Sequence, residues 1–97
     1  MEIAVIGAGA AGYFAAIAAA EKGAKVHIFE KTSKTLTKVM VSGGGRCNVT
    51  HDCESPAQLI KYYPRGGRSL KKPFSLFGPK ETRAWFEQRG VPLKTED

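Results

Sequence analysis

The chain opens on Met1-Glu2-Ile3-Ala4-Val5-Ile6, a run that is rich in β-branched residues and has almost no polar break. That pattern predicts a short strand covered on both faces, as in a parallel sheet. Gly7 ends it. From Ala10 or Ala11 to about Lys22 the pattern predicts a helix, because Ala10, Ala11, Ala15, Ala16, Ala18, Ala19 and Ala20 are strong helix formers. Gly23 stands where a helix-ending glycine belongs. Lys25-Val26-His27-Ile28-Phe29-Glu30 predicts a second strand. Strand, glycine turn, helix and strand make a βαβ unit, whose crossover should be right-handed.

Beyond Glu30 the pattern weakens. Lys31 to Lys38 is polar and reads as loop, and Val39-Met40-Val41 as a short extended run. Ser42 to Asn48 reads as a glycine-rich turn. Ser55-Pro56 resembles an N-cap with proline at the first helical position, opening a helix to about Tyr63 that stops at Pro64. Arg65 to Arg68 reads as a basic turn. Leu70, Phe74 and Phe77 are spaced four and three apart, as on a helix, although Pro73 limits that reading. Gly78-Pro79 predicts a last helix to about Arg89, with Gly90 as its stop. Trp85 and Phe86, near Leu93, read as core or as an interface, as do Leu70, Phe74 and Phe77. We find no internal repeat and no low-complexity tract.

Composition narrows the class. With 97 residues the chain is one small domain or a piece of a larger one, and 42% apolar with 25% charged residues exclude disorder. Ile3 to Ala20 is uncharged and long enough in principle to span a membrane. Gly7, Gly9 and Gly12 interrupt it at loop spacing, and Glu2 rather than a basic region precedes it, so we expect neither span nor signal. Cys47 and Cys53 cannot build a disulfide framework, which leaves a cytoplasmic protein as the expectation. Charge is uneven. Residues 1–30 carry three acids against two bases, net −1, and residues 31–97 carry thirteen bases against six acids, net +7. A basic half calls for an anionic partner, which could be a phosphate-bearing cofactor, a nucleic acid or an acidic protein.

Gly7-Ala8-Gly9-Ala10-Ala11-Gly12 matches G-x-G-x-x-G and sits between a predicted strand and a predicted helix. Gly7 permits the tight turn, Gly9 lets a pyrophosphate approach the backbone, and Gly12 lets helix and strand pack closely. Free N–H groups at the helix start then face the phosphates. Glu30 follows Gly12 by 18 residues, where a carboxylate accepts hydrogen bonds from an adenosine ribose. An acid there repels a 2′-phosphate, which favours FAD or NAD over NADP. The motif itself does not separate FAD from NAD.

A second cluster, Ser42-Gly43-Gly44-Gly45-Arg46-Cys47-Asn48-Val49-Thr50, bears on that choice. Three consecutive glycines are costly to order, and their use is to let backbone N–H groups converge on something large or negative. Arg46 adds a fixed charge, and Asn48 and Thr50 add orienting hydrogen-bonding groups. The plainer alternative is a tight surface turn.

This block, with Lys38 before it, resembles the signature of the BaiN-like NAD(P)/FAD-dependent oxidoreductases. The resemblance extends over the whole chain, through the opening GAGAAG, Glu30-Lys31, SGGGRCNVT and the stretch from Trp85 to Lys94. Two departures stand out. Leu36-Thr37 occupies the place of a usual Gly-Arg, which removes a cation near the cofactor, and His51 replaces a usual Asn.

The resemblance implies a Rossmann-like α/β fold with an incomplete parallel sheet, and a chain that is the amino-terminal part of the FAD-binding domain of a longer, two-domain flavoprotein. Within it, residues 1–30 form the βαβ unit, 38–50 the glycine-rich cofactor loop and 55–97 a helical basic segment. It implies that Gly7, Gly9, Ala10, Ala11 and Gly12 hold the FAD pyrophosphate and Glu30 the ribose. Lys31 and Lys38 lie near the adenylate half. Ser42, Gly43, Gly44, Gly45, Arg46, Cys47 and Asn48 approach the flavin side or the central phosphates. The chemistry is hydride or electron transfer through the flavin, with NAD(P)H as candidate co-substrate and a small-molecule substrate. No residue here need be a catalytic acid or base. The 97-residue chain alone is expected to be inactive and to retain FAD weakly, with apolar surface left for the rest of its own chain or for a second copy.

Other readings are weaker. Cys47 and Cys53 lack the spacing of flavin disulfide reductases, so a packed thiol is favoured over a redox pair. Cys47, His51 and Cys53 give C-x3-H-x-C, which is not a zinc spacing, and no metal is expected. His27 reads as a structural or exposed strand residue. A nucleotide-binding module without catalysis shares the first motif. A nucleic-acid binder is the rival class, since Lys61, Arg65, Arg68, Lys71 and Lys72 are interleaved with Tyr62, Tyr63 and Phe74. No nucleic-acid motif accompanies them, so a solvated basic face is the expectation.

Overall fold

The computed structural model describes residues 1–46 and 48–96. The chain divides into two compact units, residues 1–48 and residues 49–97.

In the first unit, strand β1 (Glu2–Ile6) pairs in parallel with β2 (Lys25–Phe29), with Ile3 opposite Val26 and Val5 opposite Ile28. The Gly7 N–H extends the ladder by donating to the Phe29 carbonyl at 2.7 Å. Helix α1 (Ala10–Glu21) makes the crossover and packs on both strands. Its alanines are small as well as helix-favouring, so the backbone can lie close to the sheet, and Ala16 is buried there. The helix ends as its glycine predicts. Gly23 has φ +94°, its N–H donates to the Ala20 carbonyl, and the Ala24 N–H donates to that of Ala19, closing a Schellman motif.

Burial alternates along both strands. Ile3, Val5, Val26 and Ile28 are half-buried, whereas the other face, expected to be covered, is bare. Ile6 is 80% and Phe29 56% exposed on that face. Two strands and one helix cover only one side, so the apolar character of the other side calls for a further layer. Among its charged neighbours, Lys25 Nζ and His27 Nε2 each lie 3.8 Å from Glu2 Oε1 on the surface.

The expectation of an extended run at Val39-Met40-Val41 is corrected. These residues end a short helix, α2 (Thr37–Val41), which also shortens the predicted 31–38 loop. Leu36 starts it in the left-handed region, at φ +54°, with its N–H bonded to the Ala8 carbonyl and its carbonyl accepting from Met40. That tie to the first glycine loop overrides a β propensity which, with no strand beside it, has nothing to pair with. Leu36 is the one non-glycine residue with positive φ among the described residues. It stands where the resembling family usually has glycine, and a leucine there carries a backbone cost of roughly 1–2 kcal/mol.

In the second unit, the Ser55 hydroxyl accepts from the Gln58 N–H at 3.4 Å and Pro56 occupies the first turn, so α3 (Pro56–Leu59) begins as predicted. It runs into a 3₁₀ turn at Ile60–Tyr62. Helix α4 (Gly67–Leu76) follows. Its start takes in Arg68, assigned to a turn from sequence, and it continues past Pro73. Gly67 sits where a Cβ would be 2.7 Å from the Ile60 carbonyl oxygen. On the half-buried side of α4, the Phe74 ring meets Tyr63 at 5.4 Å, and this packing outweighs the hydrogen bond that Pro73 removes. Leu59, 2% exposed, is the most deeply buried side chain of the unit.

Helix α5 (Pro79–Glu87) starts with Glu81 Oε1 accepting from the Gly78 N–H at 2.8 Å. It ends at Gly90, φ +81°, where the Gly90 and Val91 N–H groups donate to the Glu87 and Phe86 carbonyls. Arg83 bonds Glu87, the Leu93 carbonyl and the Thr95 hydroxyl, holding the last residues to α5. Trp85 and Phe86, half-buried, meet edge to face at 4.9 Å, and the Arg89 guanidinium covers Trp85 at 4.1 Å.

Candidate dinucleotide site

Three devices build the bend between β1 and α1. Gly7 takes φ +100°, a conformation that turns the chain sharply and suits glycine alone. Gly12 lies in the first turn of α1, against the bend. A Cβ there would collide with the Gly7 carbonyl oxygen and come 3.4 Å from Val5 Cγ1. At Gly9 the surroundings are the reverse, since a Cβ would meet nothing within 4 Å. Gly12 is therefore glycine because of the protein's own packing. Gly9 faces open space, and its own packing does not require the absence of a side chain.

The start of α1 is electrostatically unbalanced. Gly9 caps it without a side-chain bond, and no acidic residue lies in the first turn. The first backbone bond of the helix runs from the Tyr13 N–H to the Gly9 carbonyl, which leaves the amides of Ala10, Ala11 and Gly12 outside the helical ladder. Amides in that arrangement, at the positive end of a helix dipole, form an anion site.

Glu30 lies against this bend. Its Oε1 accepts from the Ala8 N–H at 2.9 Å, and its Oε2 accepts from the Thr32 N–H at 3.0 Å and the Thr32 hydroxyl at 2.7 Å. These bonds hold the carboxyl down at about 2, the Ala8 amide contributing most, Thr32 next and the Lys31 charge least. A carboxylate offers about four lone-pair positions, so the group keeps accepting capacity. Ala8 is buried, at 2% exposure, and is held at both backbone groups, its N–H by Glu30 and its carbonyl by the Leu36 N–H at 2.8 Å.

The sequence brought Gly7, Gly9, Ala10, Ala11, Gly12 and Glu30 to one place, and the structure brings them together. It missed Ala8, Thr32 and Leu36. For Thr32, a hydroxyl two residues past the acid is the signal that could have found it. Lys31 and Lys38 are exposed, on the segment after β2 and on α2. Ser42, Gly43, Gly44, Gly45, Arg46 and Asn48 form an exposed turn in which all three glycines take positive φ, from +61° to +86°. The Arg46 N–H bonds the Gly43 carbonyl, and Asn48 Nδ2 lies 2.7 Å from where a Gly43 Cβ would be. Cys47 lies outside the described residues. Cys53 is half-buried, with its Sγ 3.7 Å from the Ser55 carbonyl oxygen. Among the described residues no three metal-ligating side chains cluster, and no helix is long and apolar enough to cross a membrane.

Strand, glycine bend, helix N-terminus and carboxylate together define a dinucleotide-binding βαβ unit of the Rossmann class. Comparison with known proteins places it further. The HI0933-like protein Rossmann domain family matches residues 1–97, and the chain belongs to that family, an FAD- or NAD-binding module of oxidoreductase type. Over 96% of its length it is 35% identical to a ribosomal RNA dihydrouridine synthase of Escherichia coli, covering 24% of that protein. A Haemophilus influenzae protein of the same name is 42% identical over 62% of the chain and 15% of its own length. The 3-dehydro-bile acid delta(4,6)-reductase of Clostridium scindens is 35% identical over 96% of the chain and 22% of its own length. The chain thus spans about a quarter or less of each relative.

Proposed function

We propose that residues 1–97 are the amino-terminal part of the FAD-binding domain of a cytoplasmic reductase. Gly7, Gly9, Ala10, Ala11 and Gly12 hold the pyrophosphate, and Glu30 accepts from the adenosine ribose. Lys31 and Lys38 neutralise the adenylate half. Ser42, Gly43, Gly44, Gly45, Arg46, Cys47 and Asn48 approach the flavin side. When bound, the flavin supplies the hydride or electron transfer, with NAD(P)H as donor. This chain's residues bind, orient and neutralise.

The observation that carries the reading is the contrast between Gly12, whose missing Cβ is required by the Gly7 carbonyl, and Gly9, whose missing Cβ opens onto free space beside uncapped amides. An ordinary surface turn explains the first glycine and not the second. FAD is preferred to NAD because a second glycine turn, with its backbone amides and Arg46, offers a further approach to a larger cofactor.

For the substrate, the relatives' names point two ways, to ribosomal RNA and to a bile acid. We favour RNA over the solvated basic face read from the sequence, because two relatives are named for ribosomal RNA and a basic surface without carboxylate partners lies in the second unit. Titration of the protein into FAD tests the cofactor reading. Quenched flavin fluorescence in the wild type and a weakened response in Gly9→Ala support it. Unchanged flavin fluorescence, with NAD bound by calorimetry, contradicts it.

A further inference from the structure

Between Glu54 and Glu81 the chain carries six bases, Lys61, Arg65, Arg68, Lys71, Lys72 and Lys80, and no acid. The structure sorts these residues. Arg68, Lys71, Lys72 and Ser75 fall at i, i+3, i+4 and i+7 of α4 and are all exposed. Leu70 and Phe74, on the other side, are half-buried. Lys61 and Arg65 are exposed in the segment leading into the helix. None of the five cations from Lys61 to Lys72 pairs with a carboxylate among the described residues. An uncompensated stripe of this kind repels itself and attracts a polyanion.

Aromatic residues accompany the charges. Tyr62 is 62% exposed, with its ring 4.1 Å from that of His51, and Tyr63 is 42% exposed. An exposed tyrosine held by a neighbouring ring is a platform on which a base can stack, and a groove of cations with stacking rings is how proteins hold single strands. A lipid surface fits less well, because it would need the apolar side of α4, where Leu70 and Phe74 are half-buried and Phe74 meets Tyr63, which leaves Leu76 as the exposed apolar side chain of the helix.

We propose that the exposed face of α4, with the Lys61–Arg65 segment before it, binds a strand of RNA. Arg68, Lys71 and Lys72 contact consecutive phosphates and Tyr62 stacks on a base. The proposal rests on the RNA-substrate reading above and assigns it a surface separate in role from the cofactor residues.

Fluorescence anisotropy of the protein with a labelled oligouridine of about twelve nucleotides, within the usual site size, tests it. We expect Arg68→Gln/Lys71→Gln/Lys72→Gln to weaken binding at least about tenfold and to lower the slope of log affinity against log salt by about 2, at roughly 0.7 per phosphate contact. Lys22→Gln/Lys34→Gln/Lys94→Gln removes the same charge elsewhere and should leave the slope nearly unchanged. Tyr62→Ala alone should weaken binding about tenfold. Three results would overturn the proposal: equal losses in both triple variants, poly-aspartate binding as tightly as oligouridine, or no effect of Tyr62→Ala. FAD titration of the same variants separates the two readings. Intact RNA binding without flavin binding contradicts the cofactor assignment alone, and the converse contradicts this surface alone.

Discussion

The amide of Ala8 lies 2.9 Å from Oε1 of Glu30, so the residue that follows the second strand is bonded to the second residue of the first glycine loop. Twenty-two positions apart in sequence, they make the bend and the acid one structural object. The carboxylate that would meet a ribose also fixes the backbone that would meet a pyrophosphate.

Acid titration should report this bond. The Glu30 carboxyl lies at about 2 in the folded chain against an ordinary 4.5. A depressed folded value means stabilisation that is complete above about 4.5 and is lost as pH falls towards about 2. Urea denaturation across that window should show the wild type losing stability, and Glu30→Gln should flatten the loss. Carboxyl NMR should place the Glu30 midpoint near 2, and Thr32→Val should raise it. A midpoint near 4.5 in the wild type would contradict the bonding described.

The two loop glycines should separate by what they affect. Gly12→Ala forces a methyl group against the Gly7 carbonyl and should destabilise the fold by about 1–3 kcal/mol, as overpacking does. Gly9→Ala meets nothing and should cost less than about 1 kcal/mol, the size of a helix-cap change. Its effect should fall on dinucleotide affinity. Denaturation midpoints and FAD titrations of the two variants give both comparisons.

Pro73 interrupts α4 without ending it. Pro73→Ala restores an N–H in the helix interior at an exposed position and should stabilise the protein by about 1–2 kcal/mol in urea unfolding. A loss of stability would mean that the ring itself is needed.

The parts legible in the sequence are those with local causes. Short apolar, β-branched runs marked β1 and β2, alanine content marked α1, and Gly23 and Gly90 marked helix ends because glycine suits those backbone angles. Ser55-Pro56 marked a start for the same kind of reason. The failures have tertiary causes. Val39-Met40-Val41 became helix because the Leu36 amide is bonded to Ala8, a partner 28 positions back that no window reveals. Pro73 stayed helical because Phe74 packs on Tyr63. The bare face of Ile6 and Phe29 was hidden in a pattern that expected cover on both sides. In the site, the motif predicted the glycines and the acid. It carried no information on Thr32, which orients the acid.

The most direct test of the account is an NMR titration of the protein with ADP, which carries both a diphosphate and a ribose. The account predicts the largest amide shifts at Gly9, Ala10, Ala11 and Gly12, with the Glu30 carboxyl shifting alongside them. It also predicts that Gly9→Ala suppresses these shifts in a folded protein. Shifts confined to residues 49–96, or unchanged binding in Gly9→Ala, would contradict it.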